Sequence, residues 1–349
     1  MYVARSAQQV LSIAAAAALL AGCSNGATPQ LAPGANSADG ATGILHNGRV
    51  VSTSILDPKV ALRKSDISKS HPLHGKIDAR TKTFWISDAG DDAVQIFTFP
   101  SGTYLGSAPQ PPEGFSEPQG MCSDKNGNVF VANTVNSTID EYAANGTFAK
   151  APSDPGEYPA GCAVDPSSGT LAVSNLISTS DNAGGISLYK NASGSPQQLI
   201  DPNMFEVVSI AYYGKTGKLY YSGSSNNSFH AIIDSYINGK FKVFIGNTTS
   251  IAHGNVAWAS ATKSLLIGGQ DTSYLQVRAN RKVIGKTKLS CKSGYCDVVQ
   301  LTVQGKYIVA PDAESLDAAV YPYPAGGAPL VTVTGFGQPI GSAVSSVEN

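Results

Sequence analysis

Charge is scarce in this chain. Asp, Glu, Lys and Arg make up only 14% of its 349 residues, and the formal net charge is −1. No basic stripe runs along the sequence, so nothing in it offers a strand of phosphates its counterions, which argues against nucleic acid as a partner. No amphipathic helical stretch of 12 or more residues occurs, which counts against alternating βα architectures. A Gly-x-Ser-x-Gly elbow, a phosphate loop and an His-Glu-x-x-His motif are all missing, which removes the motifs most often tied to acyl transfer, nucleotide binding and zinc proteolysis. The chain is instead rich in Gly (36), Pro (20) and Tyr (15), the composition of a turn-rich β protein.

A unit of about 45 residues recurs six times. Its marker is an apolar run ending in a small or polar residue: Phe84 to Asp88, Val129 to Asn133, Leu171 to Asn175, Leu219 to Gly223, Leu265 to Gly269 and Tyr307 to Asp312. The end points are 45, 42, 48, 46 and 43 residues apart. A period of 40 to 50 with several short strands per unit is the signature of propeller blades. The expected fold is all-β, a six-bladed propeller of four-stranded antiparallel blades over residues 83–349. Inner strands are expected to begin near Gln119, Ala160, Val208, Asn255, Val298 and Ile340. The last of these has no second strand after it, and Phe84 to Asp88 has only Lys76 to Ala79 before it. The C-terminal strand therefore completes the first blade, which locks the ring and protects sheet edges. A seven-bladed ring using Lys76 to Ala79 is the alternative. Residues 44–82 are expected to form an extension crossing a face or the rim.

Pro118-Gln-Gly120 and Pro159-Ala-Gly161 open inner strands. Asp124 and Asp165 precede Gly turns, and second strands end in Asn. This pattern, over roughly residues 83–345, resembles NHL-type repeats and the wider six-bladed group that includes gluconolactonase-like and virginiamycin-lyase-like proteins. The nearest resemblance is to uncharacterised bacterial lipoproteins of this type, which implies a fold and no settled activity. Lactonase-like members hold a divalent metal with a Glu and later Asn and Asp residues, which places Asn133 and Asn175 as candidates. No Glu stands on the first blade's strands, and Asp88 would have to substitute. Lyase-like members use a His and Glu arrangement, for which His253 with Glu206 or Asp297 is the candidate.

Residues 1–22 read as a signal peptide, with Arg5, an apolar Val10 to Leu20 and small residues before Cys23. The apolar part is too short to span a bilayer as a stable helix. Leu20-Ala-Gly-Cys23 resembles the bacterial lipoprotein box, which implies acylation of Cys23, lasting membrane attachment and, with Ser24 following, the outer membrane. Residues 23–43 are poor in apolar and charged side chains and read as a flexible tether. Four further cysteines suit an oxidising compartment. Cys122 and Cys162 fall one position out of register on neighbouring inner strands. Alternation across a strand then points them into the gap between blades. Cys291 and Cys296 close a small loop.

The starts of inner strands and the ends of second strands reach one face of a propeller and ring its channel mouth. They give Asp88, Glu117, Asn133, Glu157, Asn175, Glu206, His253, Asp297 and Asp312 as candidate ligand-binding residues, with Gln119, Tyr158, Gln338, Asp91 and Asp271 nearby. Such a mouth suits calcium or another divalent ion, a sugar or a small polar ligand. The same Asp and Asn residues are also turn formers that bond their own backbone. His71 and His74 form a spaced pair before the first blade. The functional expectation is a ligand- or protein-binding module on an envelope membrane, meeting an envelope protein or small polar ligand. A metal-dependent hydrolase or lyase is the alternative.

Overall fold

A computed structural model describes residues 43–46, 49–52, 71–73, 75–178, 183–225, 231–248, 255–268, 273–294 and 296–347. Cys23, His74, His253 and Asp271 lie outside these residues, as do the expected signal peptide and the tether up to residue 42. The chain divides after Ser52 into two units. The described part of the first is an antiparallel hairpin, β1 (Gly43–His46) with β2 (Arg49–Ser52).

The second unit is the ring. Blade one is β27 (Pro339–Ser345), β3 (Thr83–Asp88), β4 (Ala93–Thr98) and β5 (Tyr104–Ser107) in sheet order. Blade two is β6 (Pro118–Ser123), β7 (Val129–Asn133), β8 (Thr138–Tyr142) and β9 (Phe148–Lys150). Blade three is β10 (Glu157–Val164), β11 (Leu171–Ser178), β12 (Gly185–Tyr189) and β13 (Gln197–Ile200). Blade four is β14 (Met204–Tyr212), β15 (Leu219–Ser225), β16 (Ala231–Ile237) and β17 (Lys240–Thr248). Blade five is β18 (Asn255–Ala259), β19 (Ser264–Gly268), β20 (Ser273–Val277) and β21 (Val283–Leu289), with β25 (Gly326–Gly327) added in parallel at its outer edge. Blade six is β22 (Thr302–Gln304), β23 (Tyr307–Asp312), β24 (Asp317–Pro322) and β26 (Val331–Thr334).

The apolar runs that mark the repeat are the second strands. Every residue of β3, β7 and β11 is buried, because each blade is covered on both faces by its neighbours and a strand so placed reads as a nearly continuous apolar run. The turn between the first two strands is local chemistry. The Asp124 Oδ1 accepts the backbone N–H of Asn126 and of Asn128 at 2.8 and 2.9 Å. Gly127 takes φ +78°, a conformation that costs glycine least.

The C-terminal strand closes the ring as expected. β27 pairs antiparallel with β3 from Ser345↔Thr83 to Pro339↔Asp88, and all seven of its residues are buried. Lys76 to Ala79 forms no strand, so no seventh blade arises from it. The described part of the extension from His71 onward instead follows the rim. Leu73 donates to the Ser107 carbonyl and Ser107 to that of His71, at 3.0 and 2.9 Å, which lays residues 71–73 beside β5. Ile77 then donates to the Asn145 carbonyl at 3.0 Å. The Leu73 and Ile77 side chains pack into the seam between blades one and two.

Three inner strands start elsewhere than expected. β10 and β14 begin early, at Glu157 and Met204, each through a β-bulge that absorbs the extra length. β22 begins late, at Thr302.

Candidate functional site

The polar residues at the ends of the second strands hold the blades together. Pro339 faces Asp88 across the ladder, and Pro118 faces Asn133. Proline has no N–H to give the partner strand, so the side chain opposite catches donors further upstream. The Asp88 carboxylate accepts the N–H of Gln338 at 2.7 Å and of Gly337 at 3.0 Å. The Asn133 Oδ1 accepts the N–H of Ser116 at 2.8 Å, while its Nδ2 donates to the Gly114 carbonyl and the Asp140 carboxylate, both at 2.9 Å. In blade six the Asp312 Oδ1 accepts the N–H of Asp297 at 2.9 Å. Asn175 donates to the Ser187 hydroxyl at 2.8 Å. Glu206 accepts the Ser224 hydroxyl at 2.5 Å. Glu117, with φ +49°, donates its N–H to Asp92, and the Glu157 carbonyl accepts the Ser137 hydroxyl. Asp312 also accepts the N–H of Glu314 and Ser315, as a turn former does, whereas the oxygens of Asp88 and Asn133 bond backbone distant in sequence, at the start of the inner strand of their own blade.

Sequence reasoning missed a second polar set. Gln95, Asp140, Ser187 and Asp234 occupy the same register on third strands, opposite Ile86, Val131, Val173 and Tyr221, and Gln276 stands one position off it, opposite Leu266. All five are buried and hydrogen-bonded inside or between blades. Their repeat at the blade period was the available signal. Burial pushes the Asp140 carboxyl up to about 7, and that of Asp317 up to about 6. It raises Asp88 and Asp234 as well, with Asp91 and Asp201 adding like charge.

The upper end of the channel, where those strand ends gather, is filled by apolar side chains. Ile340, Ala160, Leu176, Val208, Val299, Ala89 and Ala313 form one buried cluster with Tyr158 packed against it. Below this plug the inner strands meet backbone to backbone. A Cβ on Gly120 would fall 2.4 Å from the Ala160 carbonyl oxygen and 2.6 Å from the Gly161 Cα. Gln300 reaches across the axis, its Oε1 accepting the Met121 N–H at 2.7 Å.

The lower end is open. A pocket of about 580 Å³ is lined by all six inner strands, including Ser123, Val164, Tyr212, Trp258, Gln304 and Ala343. Of its three carboxylates, Asp124 is committed to the turn described above and Asp165 to the Ser167 N–H and Ser168 hydroxyl at 3.0 and 2.7 Å, while Glu141 pairs with Lys150 at 3.2 Å. What remains is an amide and hydroxyl lining with an aromatic wall at Trp258, which stacks at an angle on Tyr213 with ring centroids 4.5 Å apart. A pocket of this size and character suits a polar ligand or an inserted loop.

The fold also sorts charge between its faces. Inner strands run from the upper face to the lower, so hairpins joining first to second and third to fourth strands lie below. In blade four these carry Lys215, Lys218, Lys240 and Lys242, and in blade five Lys263, Arg278, Arg281 and Lys282. Segments on the upper face carry Asp91, Asp92, Glu113, Glu117, Glu206 and Glu314. The two ion pairs among the described residues, Arg80 with Asp78 and Lys150 with Glu141, involve none of the lower cations.

Cys122 and Cys162 are joined by a disulfide across blades two and three, with Cα atoms 5.5 Å apart. Cys291 and Cys296 are also joined, at 5.6 Å between Cα atoms. Both pairings are those expected from the sequence. Asp312 lies beside the second pair in a grouping with metal-ligand spacing, but the disulfide leaves those two sulfurs without the thiolates that a metal would take.

No family model matches the chain, and no curated protein matches it. Among solved structures it is similar to a chain from the crystal structure of a nidogen/laminin complex, at 11% identity and a TM-score of 0.62, over 77% of this chain and 100% of that one. Altogether 1027 chains of solved structures match. A likeness so broad and so distant in sequence shows the propeller ring and leaves function to the residues.

Proposed function

We propose that this chain is a binding module of the NHL-like propeller type, exported, attached to an envelope membrane through acylated Cys23, and receiving its partner at the lower channel mouth. One observation carries the reading: the axis is plugged above and open below, and the open end offers amides, hydroxyls and Trp258, with Asp124 and Asp165 already tied into turns and Glu141 paired with Lys150. This is a surface built to hold a polar ligand or a protein loop without a nucleophile or general base in place. The hydrolase alternative would need Asp88 and Asn133 to abandon the backbone donors they now satisfy, at the cost of opening the blade itself.

The test places a photo-crosslinking side chain at Asn126, on the rim of the open mouth, and in a second variant at Glu113 on the upper face, both in producing cells. We expect an adduct from Asn126 and none from Glu113, with the chain in the membrane fraction and released from it by Cys23→Ala. Adducts only from Glu113, or turnover of a lactone by the purified chain with or without added calcium, would overturn the reading.

A further inference from the structure

The cations of blades four and five form one patch rather than a scatter. Arg281 donates through its guanidinium to the Val243 carbonyl at 2.9 Å, which carries a blade-five loop onto the outer strand of blade four. The Ala279 N–H donates to the Tyr213 hydroxyl, and that hydroxyl to the Lys263 carbonyl, at 3.3 and 3.2 Å, so the two blades share their lower hairpins. Beneath the charges lies a stack of rings. Trp258 rests on Tyr213, Tyr213 on Tyr220 and Tyr220 on Phe244. The Lys218 ammonium sits 4.6 Å from the centre of the Tyr220 ring, and the Arg281 guanidinium 6.0 Å from that of Phe244. The positive charges are therefore fixed on a rigid floor, and Lys242 and Arg281 press on Lys218 closely enough to lower its pKa, after the effect of its own partial burial. No carboxylate pairs with any of them among the described residues. Apolar surface stands beside the charge. Val243 is 40% and Val283 52% exposed, each on an outer strand next to a lysine of the patch.

We infer that the lower rim of blades four and five docks on an anionic phospholipid surface. A membrane rewards both halves of the patch: its headgroups take the lysines and arginines, and its interface takes the valines. A soluble polyanion gains only from the charge. The inference does not depend on the acyl anchor or on the pocket, and its test is arranged to show this. All strands of the ring lie between Thr83 and Ser345, so the ring is complete in a chain that begins at Ser24 and carries no acyl group.

That chain is mixed with vesicles of phosphatidylcholine alone or with a third of phosphatidylglycerol, and co-sedimentation is measured. Binding is expected only to the anionic vesicles, and is expected to disappear in about 0.5 M salt, where the Debye length shrinks to a few ångströms. The exposed triple variant K240E/K242E/K282E is expected to bind at least roughly a hundredfold more weakly, from about one tenfold step or less per charge removed, with a further loss from the charge reversed. Its circular dichroism and melting temperature should match the parent's, so a folding defect is separable. V243S/V283S should bind several-fold more weakly at unchanged charge. Equal sedimentation with both vesicle types, an unaffected triple variant, or capture by dextran sulfate without capture by vesicles would each overturn the inference, the last by assigning the patch to a soluble polyanion.

Discussion

At Gly120 the axis leaves no room for a methyl group. The atoms that a Cβ would meet are the carbonyl oxygen of Ala160 and the Cα of Gly161, both backbone and both inside 3 Å, so no side-chain rotation can relieve the contact. Gly246, on the exposed outer strand of blade four, meets only the Val243 side chain at an ordinary 3.6 Å. We expect Gly120→Ala to cost about 2 kcal/mol or more in urea unfolding, in the range of overpacking defects. Gly246→Ala should stay within about 0.5 kcal/mol of the parent. The residue scale is also where the sequence was hardest to read. Asp88, Asn133 and Asp312 were recognisable as a ring of polar strand ends, but the same side chains serve a ligand and a clasp equally well on paper. What decided between them for Asp88 and Asn133 was the proline opposite, which leaves a gap in the ladder that a side-chain oxygen fills, and for Asp312 the N–H of Asp297 that it accepts.

Among elements, the seam between blades two and three differs from the others in being covalent. Cys122 and Cys162 are 40 residues apart and Cys291 and Cys296 five. In the loop-entropy picture a crosslink stabilises more the longer the loop it closes, about 4 kcal/mol for the first and about 2 kcal/mol for the second. The double variant C122A/C162A should therefore lose roughly twice the unfolding free energy of C291A/C296A in chemical denaturation. Equal losses would show that the seam is held by its packing alone. Both bridges were legible from cysteine parity and strand register, and the strands themselves from the blade period. The added edges were not. β25 is two glycines, and residues 71–73 make one parallel bridge, so neither carries the alternation or the length that marks a strand.

The whole molecule concentrates buried acid. Asp140 and Asp317 hold their protons to about pH 7 and 6, and Asp88 and Asp234 are raised in the same direction by burial. In the unfolded chain each would titrate near the ordinary carboxylate value of about 4. Between those limits the folded state binds more protons than the unfolded one, so stability falls as pH rises. The contribution is complete below about pH 4, is lost through pH 6 to 7, and levels off above. Thermal melts at fixed ionic strength should give a higher melting temperature at pH 5 than at pH 8. A melting temperature that climbs from pH 5 to 8 would contradict these assignments. The lower-face cations belong to this scale too. Spread over residues 215–282 they make no stripe in the sequence, because hairpin turns some 25 residues apart become neighbours only when the blades stack.

The rim segment at His71 to Leu73 has a mechanical corollary. It lies along the outer edge of blade one, held to Ser107 by two backbone bonds, whereas the strand that seals the ring lies four places further in. Tension applied upstream of His71 is delivered to the periphery, where bonds open one after another like a zip. Leu73 and Ile77 must leave their groove before the load travels inward. The leading segment works as a fuse: it yields first, and β27 and β3 stay joined while it does.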